Sequence, residues 1–473
     1  MVTTSKYKAW AQAIAKPATE FEPTPLSIIS GAIPKNLRGT LYRNGPARLS
    51  RGKESVGHWF DGDGAILGVH FKDDGATGVY RYVQTQGYLD EQQKDAFIYP
   101  NYGMTAKGIF WNNWLKPVKN AANTSVLALP DRLLALWEGG KPHSLDLETL
   151  ATLGIDNLDR LTDKQSFSAH PKVDGVTGEI FNYGVSAGAK TVLNLYRCDR
   201  FGKLQHQNTY PLSGLPIIHD FCLAGQYLVF LVSPVRVNLT PIILGQKSYS
   251  EAMEWKPELG TEILIFDRDS LSLLSRGLSD PWFQWHFSNG CVNSQGNIVT
   301  EFIRYDNFDT NQYLKEVASG YTETIAKGTL WELIIEPQTA KVISNKQLCD
   351  LQAEFSLIAP RNVGKPWRYT YLNIQRRELS VGQELFQSIA RFDRHTNTIA
   401  AADMGENCYA SEPIFVADGD GDIGWLLSVV YDGNCDRSEI RIYRSDLLTN
   451  RPVCRLALPR VIPHGFHGTW RHN

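Results

Sequence analysis

The chain has no block of like charge: 48 Lys and Arg stand against 50 Asp and Glu over 473 residues, for a net charge of −2. Phosphate binding needs a basic face or tail, so no nucleic-acid partner is expected. The seven cysteines (Cys198, Cys222, Cys291, Cys349, Cys408, Cys435, Cys454) are scattered, odd in number and never spaced CxxC. That excludes a disulfide framework or a zinc ribbon and fits a reducing compartment. No run of about 18 apolar residues exists to span a bilayer. Residues 1–25 carry no apolar h-region of a secretory signal, so a cytoplasmic location is expected. Long helical patterns are nearly missing, as are an HExxH motif and any Ser/His/Asp arrangement that would suggest a protein nucleophile.

What is present is strand. Apolar residues make up 42% of the chain, enough for a sizeable core. They fall in short β-branched and aromatic runs bounded by Gly, Asp, Asn and Pro, such as Leu133–Trp137, Tyr227–Val232, Ile298–Ile303 and Trp425–Tyr431. The short helical candidates are Tyr7–Ile14, Leu147–Leu153, Asp156–Leu161 and Tyr313–Val317. A strand, a charged turn and a second strand recur at 195–204, 265–274, 334–343, 389–400 and 442–450, with starts 70, 69, 55 and 53 residues apart. An all-β chain with this period reads as roughly seven blades of a propeller. A pair of β-sandwiches would need a linker between modules of about 100 residues, and none is visible. The expected layout is a lead segment over 1–25 and a single propeller over 26–473.

Six of the eleven histidines, His58, His70, His143, His206, His395 and His472, have no companion at ligand spacing and are expected on the surface or half-buried. His170, His219 and His286 differ: each lies in an apolar setting, and the steps of 49 and 67 residues match the blade repeat. The innermost strand of every propeller blade faces the axis, so one histidine per blade converges there. His467 follows 181 residues later, about three more blades. Four imidazoles suit iron, copper, zinc or nickel. Glu138, Glu354 and Glu412 sit in apolar, strand-like contexts. Each is a candidate to orient an imidazole N–H, or equally to accept from backbone amides.

Gly39-Thr-Leu-Tyr-Arg-Asn-Gly-Pro46, Trp59-Phe-Asp-Gly-Asp-Gly64, Leu133-Leu-Ala-Leu-Trp-Glu-Gly-Gly140, Ser168-Ala-His-Pro171, Ile218-His-Asp-Phe221, Glu412-Pro-Ile-Phe415 and His467-Gly-Thr-Trp470 occur in this order. In that order and over that length the chain resembles the carotenoid cleavage oxygenases, nearest their cyanobacterial apocarotenoid branch. The resemblance implies a seven-bladed β-propeller capped on its top face by loops, with Fe(II) on the axis. It implies His170, His219, His286 and His467 as ligands, and Glu138, Glu354 and Glu412 as carboxylates bonded to three of them. His464 falls outside the ligand position, and Thr124 falls where the family places a small residue beside an open metal position. The third ligand motif departs from the family pattern: His286-Phe-Ser-Asn289 is followed by Gly290-Cys-Val-Asn-Ser294 rather than acidic residues.

The implied activity is O2-dependent scission of one C=C bond of a polyene, most closely the 15,15′ bond of β-apocarotenals to give retinal. Alternatives within the fold are cleavage at the 9,10 bond of carotenoids, stilbene cleavage and retinyl-ester isomerohydrolysis. The stilbene branch uses a lysine where this chain has Trp137. A non-catalytic propeller binding lipids or proteins is the reading from another class. A polyene needs an apolar tunnel; Phe60 and Trp137 are its expected wall, with Phe221, Trp285, Phe287 and Phe355 flanking the site. Two stretches combine apolar residues with a basic edge and are expected to dip into a membrane surface. One is Ile109-Phe110-Trp111 with Trp114-Leu115, before Lys116 and Lys119. The other is Pro241 with Ile242, Ile243 and Leu244, before Lys247. The protein is expected to be a monomer with peripheral membrane contact.

Overall fold

A computed structural model describes residues 8–108, 116–188, 190–376, 384–419 and 421–472. Seven antiparallel sheets form the blades of a propeller. The second to sixth blades are four-stranded and run outward in chain order from innermost strands at Ser125–Ala128, Lys172–Val173, Cys222–Ala224, Phe283–Val292 and Ala353–Leu357. The recurring hairpins seen in the sequence are outer strand pairs. Val192–Cys198 pairs with Leu204–Pro211, Thr261–Asp267 with Leu273–Ser279, and Thr329–Glu336 with Lys341–Gln347.

The ring closes twice. Gly468–His472, the last strand, pairs with Gly39–Arg48 and becomes the inner edge of the first blade. Ile28–Gly31 pairs with Cys454–Ala457 on the outer edge of the seventh. The expected lead segment is not separate: Phe21–Pro25 is the outer strand of the first blade, and Trp10, in the 3-10 turn Ala9–Ile14, is fully buried. Both chain ends are therefore built into the sheet network, and unwinding either one exposes strand edges.

Strand alternation sends one face of each inner strand to the neighbouring blade. Between the third and fourth blades, Phe221 stacks on Phe230 at 5.2 Å, and Tyr183 meets both rings edge-on. Of the expected helices, Tyr313–Val317 lies inside an α-helix at Asp309–Val317. Leu147–Leu153 and Asp156–Leu161 are not helical. The Asp146 carboxylate accepts from the amides of Glu148 and Thr149, and the Asp156 carboxylate from Leu158, so side chains take over the backbone donors and make turns. A helix at Gln86–Lys94 was not foreseen; its sequence is polar, and its start is fixed by Thr85 Oγ1 accepting from Tyr88 N–H. His58, His70 and His143, expected on the surface or half-buried, are all buried.

Candidate metal centre

The site stands where the inner strands begin. Thr124, His170 and His219 precede the inner strands of blades two to four, while His286 and Glu354 lie near the starts of those of blades five and six. Glu412 sits in the break between Cys408–Ala410 and Ile414–Ala417, and His467 precedes the closing strand. One nitrogen from each of His170, His219, His286 and His467 lies within 4.8 Å of the others. The Nε2 atoms of His170 and His219 are 3.0 Å apart, and those of His219 and His286 are 3.3 Å apart.

These short approaches are not ordinary hydrogen bonds. His286 Nδ1 donates to Glu354 Oε2 at 2.5 Å, and His467 Nδ1 donates to Glu412 Oε1 at 2.9 Å. His219 Nδ1 faces Glu138 Oε1 at 3.2 Å. A neutral imidazole whose N–H is committed at Nδ1 presents a lone pair at Nε2. Lone pairs brought this close repel one another unless a cation lies between them. The donor set fits a single transition-metal ion held by four imidazoles, with carboxylates fixing the tautomers. Burial lowers the pKa of His170, His219 and His467 and keeps those rings neutral. For His286 burial also acts downward, but the Glu354 carboxylate outweighs it and raises the pKa.

The carboxylates differ in their own support. Glu412 Oε2 accepts from Arg43 Nη1 at 3.1 Å and from Gly468 N–H at 2.8 Å. Burial would raise its pKa; His467, Arg43 and the Gly468 amide outweigh burial and hold it below the ordinary carboxylate value. Glu354 accepts from Tyr305 O–H at 3.0 Å and from Phe355 N–H at 2.8 Å. Glu138 Oε1 has no aligned hydrogen bond, and burial, then Asp220, push its pKa well up.

A cavity of about 450 Å³ reaches this cluster. Its wall includes Phe60, Trp137, Trp285, Phe355 and Thr124, and also Glu138 and Glu354. The family profile described as RPE65, retinal pigment epithelial membrane protein, matches residues 14–472. The chain belongs to this family, that of the carotenoid cleavage oxygenases. It is 33% identical over 463 residues to the apocarotenoid-15,15′-oxygenase of Synechocystis sp., covering 93% of this chain and 92% of that one. It is 26% identical over 466 residues to an isoeugenol monooxygenase of Pseudomonas nitroreducens, covering 93% of each. A solved structure of a Synechocystis apocarotenoid oxygenase mutant superposes with a TM-score of 0.90 at 30% identity, covering 99% of this chain and 100% of that one. Carotenoid cleavage oxygenases are metal-dependent, in keeping with the four-histidine cluster.

Two residues expected on this carotenoid oxygenase's tunnel wall lie elsewhere. Phe221 is in the core between blades three and four, and Phe287 packs on Phe302 at 5.9 Å in the next interblade core. Phe287 directly follows His286, so strand alternation points it to the opposite face; Phe221, two residues after His219 and just ahead of the strand Cys222–Ala224, turns into the interblade core against Phe230. Trp285 and Phe355 escape that rule for local reasons. The strand bulges between Gln284 and Phe287, so Trp285 joins His286 on the open side. Phe355 has φ of 55°, a left-handed backbone rare for an aromatic residue. Its ring lies 5.6 Å from that of His286 and 5.4 Å from that of His467. The stretch Ile109 to Leu115, with Phe110, Trp111 and Trp114, lies outside the described residues. On the short helix Leu239–Ile243 and its cap, Ile243 is 53% and Leu244 46% exposed, whereas Ile242 packs toward the core.

Sequence reasoning missed Arg43, Tyr305 and His58. Arg43 stands in the Gly39–Pro46 motif, which was a usable signal. His58 precedes Trp59-Phe60; its Nδ1 accepts from Phe60 N–H at 3.1 Å and its ring packs 4.7 Å from that of Phe60, fixing the wall from behind.

Proposed function

We propose that the chain is a non-heme Fe(II) oxygenase that cleaves a C=C bond of an apocarotenoid. The bond cleaved is the 15,15′ bond of a β-apocarotenal, giving retinal and a shorter dialdehyde. The observation that carries this reading is four convergent imidazoles at the side of a largely apolar cavity. His170, His219, His286 and His467 would hold the metal, which when bound supplies O2 activation and the redox capacity for scission. The overall balance is R–CH=CH–R′ + O2 → R–CHO + R′–CHO, with no external reductant.

The chain's own residues do the positioning. Phe60 and Trp285 meet edge-to-face at 5.7 Å, and Phe60 and Phe466 at 5.4 Å, making a rigid aromatic wall. A polyene held against that wall presents one double bond to the tetrad, and its register decides which bond breaks. The apolar lining also excludes water from the reacting bond. Exposed Val118 on the cavity wall and, separately, exposed Leu239, Ile243 and Leu244 are apolar surface that supports contact with a lipid surface. Among the described residues no helix is long and apolar enough to cross a membrane.

The test is aerobic incubation of the iron-loaded protein with a β-apocarotenal, with products separated by HPLC. Retinal and a dialdehyde are expected. Scission elsewhere would replace the regiochemistry with that of 9,10 cleavage, and iron-loaded protein that consumes no O2 and yields no carbonyl product would refute the oxygenase.

A further inference from the structure

Each blade is its own sheet, so ladder hydrogen bonds do not fix how far one ligand histidine stands from the next. One buried carboxylate bridges three of the blades. Asp220 directly follows His219 and is 3% exposed. Its Oδ2 accepts from the Phe287 N–H at 2.9 Å, and Phe287 directly follows His286. Its Oδ1 is paired with Lys172 Nζ at 2.7 Å, and Lys172 stands two residues after His170. Oδ1 also accepts from the Phe221 N–H at 2.8 Å, which fixes the carboxylate on its own chain. Asp220 itself stands outside the tetrad.

The pairs that Asp220 spans are the crowded ones. The Nε2 atoms of His170 and His219 are 3.0 Å apart, and those of His219 and His286 are 3.3 Å apart. Facing lone pairs at that distance push the rings apart whenever no cation lies between them. His467 lies outside this tie and is held by Glu412, itself bonded to Arg43. We propose that Asp220 is a positioning residue of the metal centre: with Lys172 and the Phe287 amide it holds His170, His219 and His286 at ligand spacing before a metal arrives. It acts through the main chain of the ligands, and ring orientation is left to the glutamates. The cost of bringing three imidazoles together is then met on folding rather than on metal binding. The inference rests on reading the tetrad as a metal centre and is independent of which bond is cleaved.

The probe is Co(II), titrated into the metal-free full-length protein. Affinity is read by competition with a chelator, and geometry by the ligand-field absorption bands of the bound ion. The decisive variant is double, Asp220→Leu with Lys172→Met. It loses one negative and one positive charge, so net charge near the site is kept and the tie is lost. Affinity is expected to fall about tenfold, within the range for losing a group that orients a metal ligand, and the bands to shift. A role confined to stability would lower the melting temperature without moving either readout. Parent affinity and parent bands in the folded double variant would overturn the tie and leave the metal centre standing. If the double variant does not fold, Lys172→Met decides alone, since that side chain is 19% exposed. It removes a cation from beside the site, so charge alone would tighten binding. The tie instead predicts binding weakened about threefold, with Lys172→Arg restoring the parent value. Binding in Lys172→Met as tight as the parent's, or tighter, would overturn the tie. A parent chain that binds no Co(II) would overturn the metal centre and the tie with it.

Discussion

The two flanks of the histidine cluster are built differently. On the closing flank, His467 bonds to Glu412, and Glu412 is held by Arg43 and the Gly468 amide. Arg43 goes on to the main-chain oxygens of Glu412 and Phe466, so one guanidinium ties the first blade, the seventh blade and the last strand together. On the opposite flank, His219 faces Glu138, whose side chain is 32% exposed and which lines the cavity without a cation of its own. Rigidity is concentrated where the ring closes, and the looser carboxylate is turned to the space where substrate is proposed to lie.

If that contrast is real, the largest effect comes from stranding Arg43. Glu412→Leu leaves a buried guanidinium without its partner and should cost about 3–5 kcal/mol in urea unfolding. Arg43→Met in the same chain should recover much of that loss, because the uncompensated charge is gone. No recovery would mean that Glu412 acts through something other than Arg43.

Metal affinity tests the flanks directly. Glu412→Gln should weaken metal binding about 10- to 100-fold in competition with a chelator, the range for losing a partner that orients a ligand histidine. Glu138→Gln should fall at or below about tenfold, with unfolding stability unchanged, since no buried cation depends on it. Equal losses at the two positions would erase the distinction.

Much of this was legible in the sequence because propeller geometry converts spacing into convergence. One imidazole per blade gave His170, His219 and His286; apolar contexts picked out Glu138, Glu354 and Glu412, and the resemblance implied their role and the place of His467. Phe221 and Phe287 were misread because adjacency in sequence was taken for adjacency in space; strand alternation turns Phe287 away from His286, and Phe221 packs into the interblade core ahead of its strand. Trp285 and Phe355 reach the cavity through a bulge and a left-handed residue, neither of which composition reveals. Arg43 and Tyr305 act across sheets, through contacts between residues 369 and 49 positions apart, beyond any local pattern. His58 looked unremarkable because it lacks a ligand-spaced partner, and His464 because it falls outside the motif position of the ligand, yet both are buried and bonded at fixed nitrogens.

The smallest effect is the pH response of these two histidines, one behind the cap wall and one on the closing flank. Burial holds His58 near a pKa of about 3 and His464 near about 4, both below the ordinary value of 6.5. The unfolded chain therefore takes up protons at a higher pH than the folded one. Their contribution to stability is complete above pH 6.5 and is lost as pH falls from there toward 4 and 3. The melting temperature of metal-free protein should drop over that window. His464→Phe should flatten the part above pH 4, and His58→Asn, which keeps an acceptor for Phe60 N–H, should flatten the part that extends lower. A variant whose profile keeps the full slope would show that its histidine is protonated in the folded chain. The closing flank would then be less tightly sealed than the cap, or the cap less than the flank, according to which variant failed.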